Sequence, residues 1–493
     1  HPALRARELA GRGRGLVAAE AVAAGQEVLR VPADSLLNVF TALQSEHFGA
    51  AAQRLFSQGL HADTVAMLFA LAEERRCRRL LGSGSADGKA PLPPWADVLL
   101  GAPSVEDVPQ LLAWPAEAVE ALGNALVEQQ VKDMLTALWQ LMQEVQEALG
   151  RLSKEEAEAL GGPVGFDDLL WARCVFDSRA VAVDLPAPPS LRGPDGVGGS
   201  APPQLGEPEP GEEAAQREDD QQWLLLRNVG RARTVWVQCA KRVTCLAPVV
   251  DLLNHQTYGA CASPAFDAER RALTVATAAA VPAGAEVCLC YGALQNWELL
   301  LYYGFCPEDN PHDRLTLSMN PPDDDHAAVR AVAMQVHCIP SEHVLRPDLH
   351  DPATGSGCGG ETNGELGDVK LELGRWSAMD LLPPQLLRCL RLYLEDAPGM
   401  ADASSPPGEP GTEPLDVRCL EMLEVVLANL LEQLERTGPS PLPFWWVSYG
   451  EAVTAFRKSQ RSLLAANLRA AKALREALQG RSSSASAEPG PPL

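Results

Sequence analysis

Two short segments concentrate the polar chemistry of this 493-residue chain. Asp251-Leu252-Leu253-Asn254-His255 gathers a carboxylate, an amide and an imidazole. Glu286-Val287-Cys288-Leu289-Cys290-Tyr291-Gly292 is an apolar, strand-like run that ends in a phenol. Asn254 and Tyr291 stand 37 positions apart (291 minus 254). Between them, Val281-Pro282-Ala283-Gly284 has the turn chemistry that precedes a strand, Pro and Gly fixing the bend. A Tyr hydroxyl both donates and accepts, so it suits orienting a reacting group. A guanidinium such as that of Arg179 pairs bidentately with a carboxylate and suits holding a ligand's acidic end. Gly13 and Gly15 carry no Cβ, so the backbone there can approach a ligand closely. Each feature alone has an ordinary structural reading: a turn for Asn-His, a strand residue for Tyr291, a surface cation for Arg179, a core ring for Phe305. Order, spacing and flanks together are what set them apart.

The elements that must position these groups are legible in outline. Residues 8–50 read as short strands with Gly and Pro turns. Residues 61–81 and 116–150 read as helices. In the second, Val119, Leu122, Leu126, Leu135, Leu138, Met142, Val145 and Leu149 recur near the 3.6-residue period, with Pro115 as a first-turn proline. After His312 the chain turns helical again. Asp416 is placed as the N-cap of an apolar stripe running from Leu420 to Leu434 and closed by Gly438. A further helix is expected from about Glu451, with Val453, Phe456, Leu463, Leu464, Leu468, Ala471 and Leu474 on one side. Residues 185–222 are Pro, Gly, Ser and acid, with eight Asp/Glu against two Arg, and too few large apolar groups to offset their ordering entropy. Disorder is expected there; 352–367 and 397–414 read as Gly- and Pro-rich loops, and the tail from Arg481 as loose. Trp223–Val243, with Arg227, Arg231, Arg233, Lys241 and Arg242 among strand-like apolar residues, fits no familiar pattern.

Composition sets further bounds. The length allows more than one core. An apolar content of 46% and a charged content of 22% are those of a globular protein. No run of about 18 apolar residues is present, which excludes a spanning helix. The formal charge of −24 argues against direct binding to nucleic-acid phosphates and suits a basic protein partner, or simply solubility. The twelve Cys show neither Cys-x-x-Cys nor a Cys/His quartet at zinc spacing, so buried free thiols in a reducing compartment are expected, Cys288 and Cys290 sharing one strand face. The chain begins at His1, so targeting signals cannot be judged from its start.

The Asn254-His255 and Tyr291-Gly292 pair, preceded by Gly11-Arg12-Gly13-Arg14-Gly15-Leu16 and Gly25-Gln26-Glu27-Val28, resembles the SET-domain methyltransferases. Leu170–Val181, Asn296–Phe305 and Asn310-Pro311-His312-Asp313 are similar to the Rubisco large-subunit methyltransferase branch. The resemblance implies an α+β fold. A SET-domain β-fold with a threaded (pseudoknot) loop would span 8–320, split by a helical insertion at about 50–165. An all-α substrate-binding lobe would follow over 330–478, then a disordered tail over 479–493.

The same resemblance implies S-adenosylmethionine as cofactor and no metal. Tyr291 would be the catalytic residue, lying near the transferred methyl. Gly13, Gly15, Arg179, Asp251, Asn254, His255, Tyr291 and Phe305 would bind the cofactor. Methyl transfer from a sulfonium needs alignment, a dry site and a neutral acceptor amine. The implied activity is protein-lysine N-methylation of a histone or other protein with an exposed lysine, by a monomer in cytoplasm and nucleus. A weakly catalytic scaffold and a protein-histidine methyltransferase are the alternatives. Against the latter, Val181 and Val250 stand where a histidine-modifying relative of this branch carries Asn and Trp, and an apolar lining suits an aliphatic lysine stem.

Overall fold

The computed structural model describes residues 3–82, 91–192, 221–227, 234–257, 262–319, 324–347, 372–373, 376–377, 382–394, 413–436 and 446–485. The chain divides into two compact units. One comprises residues 1–113, 129–291 and 301–303, and the other residues 114–128, 292–300 and 304–493.

The first unit is built on small antiparallel sheets. β1 (Leu4–Leu9) and β2 (Gly13–Ala18) form a hairpin, with Leu9 opposite Gly13. The turn between them needs left-handed backbone at Gly11 (φ 69°) and Gly13 (φ 68°), which glycine adopts without the Cβ clash of other residues. β3 (Glu27–Pro32) pairs with β9 (Ala272–Thr277), and β9 pairs with β8 (Ala262–Asp267). β4 (Ala180–Asp184) pairs with β7 (Arg242–Leu246). β5 (Gln221–Arg227) and β6 (Thr234–Ala240) form the hairpin that the sequence left without a pattern. Leu224, Leu225 and Leu226 of β5 are buried, as is Cys239 of β6.

Helices follow β3 earlier than expected. Asn38 starts α1 (Val39–Gln44), its Oδ1 accepting from the amides of Phe40 and Thr41 at 2.8 and 3.2 Å. α2 (Gly49–Ser57) and α3 (Ala62–Gly82) come next. α3 carries a fully buried Glu73, which accepts from Arg76 Nε at 2.9 Å, Trp95 Nε1 at 2.9 Å and the His47 ring. Burial raises the Glu73 carboxyl, but the donors from His47, Arg76 and Trp95 outweigh it and hold the pKa down to about 2.

The single helix expected over 116–150 is two: Ala116–Glu120 and α4 (Ala125–Leu149). Gly123 (φ 70°) breaks it, and Asn124 restarts it by accepting from the amides of Leu126 and Val127. Pro115 is the residue before the first of these helices rather than part of its first turn. α5 (Phe166–Arg179) then leads directly into β4.

The ends of the segment expected to be disordered are built into the first unit. Leu185, Ala187 and Leu191 are buried, and Gln222 bonds to Leu185 and Ala187. Residues 193–220, and the expectation of disorder for them, lie outside the described residues, as do 352–367 and 397–412.

In the second unit, Glu413–Arg436 and Trp446–Ala485 bury their apolar stripes together. Leu420, Leu423, Leu427, Leu463, Leu464, Leu474 and Leu478 share one core with Leu386, Leu387 and Leu390 of the helix Pro384–Leu394. The last helix continues to Ala485, past the point where a loose tail was expected; 486–493 lie outside the described residues. Asp416 is not a cap. It lies inside its helix, fully buried, gripped by Arg391 through Nε–Oδ1 at 2.6 Å and Nη2–Oδ2 at 2.8 Å. A helix-starting residue in the sequence is thus a buried counter-ion in the fold.

A second polar cluster anchors the start of the helix Asn296–Tyr303. Asn296 donates to Pro307 O and Ser459 Oγ, and Asn310 donates to Asn296 Oδ1 at 3.0 Å. The buried Asp313 accepts from the Asn296 amide at 3.1 Å, Ser459 Oγ at 2.6 Å and Gln460 Nε2 at 3.3 Å. Burial pushes the Asp313 carboxyl above its usual range against these donors.

Candidate active site

The Asn254-His255 segment is clasped from two sides. Residues 285–289 lie against β2, with Ala18 N donating to Ala285 O and Val287 N to Leu16 O, each at 2.8 Å. The same run bridges in parallel to the Asn-His loop. Leu289 N donates to Asn254 O at 2.9 Å, and Gln256 N donates to Leu289 O at 2.8 Å. Two segments far apart in sequence are therefore stitched to a single strand, which is why the spacing between Asn254 and Tyr291 carried information. The loop is entered through Val249 at φ 73°, a costly conformation for a β-branched residue and one that persists where its surroundings enforce it.

Side chains complete the clasp. Asn254 Nδ2 donates to Glu286 Oε1 at 2.8 Å and to Arg14 O at 3.3 Å. Arg12 pairs with Glu286 (Nε–Oε2 3.3 Å) and donates from Nη2 to His255 O at 2.6 Å. Gly15 is needed for room: a Cβ there would stand 2.8 Å from both Asn254 Nδ2 and Glu286 Oε1. Above Gly13 the space is open, with no atom within 4 Å of a would-be Cβ.

Tyr291 is fixed at every polar atom it could turn. Its amide donates to His255 Nδ1 at 3.1 Å and its hydroxyl to Leu253 O at 2.8 Å. Its ring stacks on Tyr303 at a centroid distance of 4.4 Å, with the His255 ring 5.2 Å away. Burial pushes the phenol well above its usual pKa, Tyr303 and Cys288 adding to the effect, so it keeps its proton at neutral pH.

Arg179, the last residue of α5, meets Asp251 at 3.2 Å. Burial raises the Asp251 carboxyl, and Arg179 pulls the other way. Arg179 Nε is buried and bonds to nothing in the described structure. Cys288 is buried but Cys290 is exposed, so the two do not share one environment as their alternation suggested.

The structure thus brings together Gly13, Gly15, Arg179, Asp251, Asn254, His255 and Tyr291 within the first unit. Phe305 belongs to the second unit, where it is half-buried. Arg12, Glu286 and Tyr303 were not singled out beforehand. Their polar or aromatic character inside the flanking motifs was the available signal. Among the described residues no cluster of His, Cys, Asp or Glu could hold a metal ion, and no helix is long and apolar enough to cross a membrane.

The fold is that of solved SET-domain structures, mixed helix and sheet with a helical C-terminal region. The SET domain of LSMT bound to lysine and AdoHcy superposes with a TM-score of 0.53 at 16% identity, covering 97% of this chain and 88% of that one. Rubisco LSMT bound to AdoMet gives a TM-score of 0.53 at 16% identity, over 99% and 93%.

Among sequences, the chain is similar to SET domain-containing protein 4. The mouse protein is 40% identical over 83 residues, 17% of this chain and 19% of the relative. The human protein is 24% identical over 303 residues, 61% of this chain and 54% of the relative, so the matches span about half or less of these relatives' length. No protein-family model matches the chain.

Proposed function

We propose that this chain is an S-adenosylmethionine-dependent protein-lysine N-methyltransferase. The observation that carries the reading is the Tyr291 phenol. Its proton is committed to the Leu253 carbonyl and its ring is held against Tyr303, while its oxygen accepts no hydrogen bond among the described residues. A fixed oxygen of this kind can receive weak C–H···O contacts from a polarised methyl group and an N–H of an incoming amine. S-adenosylmethionine, when bound, supplies the sulfonium-activated methyl group.

Gly13, Gly15, Arg179, Asp251, Asn254 and His255 would hold that cofactor. The residues present fit it: the orphaned Arg179 Nε is a buried donor that a ligand carboxylate would satisfy. The burial that keeps Tyr291 protonated also disfavours an ammonium, so a lysine entering this site sheds its proton more readily than in water.

Lysine is favoured over histidine by the apolar Val181 and by Val250, which is 2% exposed beside Asp251. The substrate would be a histone or another protein with an exposed lysine. Cytoplasm and nucleus are the proposed compartments, supported by ten free thiols among the described residues. The test is incubation of the chain with labelled S-adenosylmethionine and cell extract, then mass spectrometry of the modified sites. Methyl-lysine is the expected product. Methyl-histidine alone would move the assignment to the imidazole-modifying class, and no labelled protein would leave a binding scaffold.

A further inference from the structure

The Asn254-His255 loop is locked by a polar ring that the proposed chemistry does not itself use. Glu286 accepts from Asn254 Nδ2 at 2.8 Å through Oε1 and faces Arg12 Nε at 3.3 Å through Oε2. Arg12 closes the ring by donating to His255 O at 2.6 Å. The two N–H groups of the Asn254 amide are thereby used within the protein, on Glu286 Oε1 and Arg14 O. A flipped amide would turn its oxygen onto a carboxylate, so the flip is closed and Oδ1 is the end left for a ligand donor.

We infer that Glu286, held by Arg12, is a positioning residue for Asn254 and His255. It decides which end of the Asn254 amide a cofactor meets and keeps the loop bridged to Leu289. The inference rests on the reading of Asn254 and His255 as cofactor contacts. Charge is the active ingredient. A carboxylate accepts from both neighbours and donates to neither, whereas a Gln at the same place offers an N–H as well as an oxygen and admits both amide orientations. Charge-assisted bonds of this kind are about twice as strong as neutral ones.

The test uses the full chain and the variants Glu286→Gln, Arg12→Met, Asn254→Ala and the Glu286→Gln/Asn254→Ala double variant. Hydrogen exchange is read at the amides of Gln256 and Leu289, which donate across the loop bridge, with the β3 and β9 amides as internal reference. Binding of S-adenosylhomocysteine is read by calorimetry. Glu286→Gln and Arg12→Met should each speed exchange at Gln256 and Leu289 by about tenfold, leave the reference amides unchanged, and weaken binding by about tenfold. The double variant should lose less than the sum of the two single losses, because Glu286 acts in part through Asn254. Wild-type exchange rates at Gln256 and Leu289 in Glu286→Gln, or additive losses in the double variant, overturn the inference. A wild-type chain that binds no S-adenosylhomocysteine sinks the proposed function instead, and the exchange rates still decide the ring.

Discussion

Adding one methyl group at Gly15 tests the geometry of the site directly. In Gly15→Ala the new Cβ would lie 2.5 Å from Leu9 Cδ1 and 2.8 Å from both Asn254 Nδ2 and Glu286 Oε1. Leu9 can rotate away at little cost. The other two atoms are bonded to each other at 2.8 Å, and each must retreat by roughly 0.6 Å (3.4 minus 2.8) to reach ordinary contact. Their bond survives only if both side chains retreat together, against the hold of Arg14 O on Asn254 and of Arg12 on Glu286. A hydrogen bond to a charged group is worth about 1.5–3 kcal/mol, so its loss should weaken S-adenosylhomocysteine binding by roughly tenfold to somewhat over a hundredfold.

Gly25→Ala separates this effect from backbone strain. Unlike Gly15, Gly25 has positive φ (77°), and no atom lies within 4 Å of its would-be Cβ, so the change should cost about 1–2 kcal/mol of stability and displace nothing. Calorimetry gives the dissociation constants and thermal melting gives the stabilities. Binding by Gly15→Ala within threefold of wild type would refute the claim that this glycine exists to admit the Asn254–Glu286 pair.

Tyr291→Phe should lower kcat by about a hundredfold or more while S-adenosylhomocysteine binding stays within about threefold, because the hydroxyl acts on the transition state; steady-state kinetics with calorimetry checks both. Asp416→Ala should destabilise the chain by about 3–5 kcal/mol in denaturant unfolding by removing the buried counter-ion of Arg391, and Asp416→Leu combined with Arg391→Met should recover most of that loss. The depressed pKa of Glu73, about 2 against an ordinary 4.5, means that its stabilisation is fully present above 4.5 and drains away as the pH falls towards 2. Melting temperatures of wild type and Glu73→Gln should therefore be well separated at pH 6 and converge as the pH falls through that window.

What the sequence disclosed follows from how local each determinant is. Asn254-His255 and Tyr291-Gly292 were readable because the strand between them fixes both spacing and turn. The helix at 62–82 was readable because its period is written in neighbouring residues. The split at Gly123-Asn124 carries an ordinary stop-and-start signal that the longer apolar period masked. Contacts that depend on chain return were not readable. Arg12 reaches His255 across 243 positions, and nothing near Arg12 announces it. Asp416 has the residue type of a cap and the neighbours of a helix start. Only the fold shows that Arg391, 25 positions earlier, turns it into a buried ion pair.

The polar cluster around Asp313 has a consequence for synthesis of the chain. Ser459 and Gln460, which satisfy its carboxylate, follow it by 146 and 147 residues. At about 5–20 residues per second, a ribosome takes roughly 7–30 s to deliver them after Asp313 has been made. Throughout that interval Asn296 and Asp313 must stay hydrated, because burying them unpaired costs several times what their eventual hydrogen bonds return. The turn Asn310–Asp313 and the helix that begins at Asn296 therefore wait, open to water and to chaperones, for the last helix to leave the exit tunnel. A nascent chain stopped near residue 330 stays in that waiting state for good.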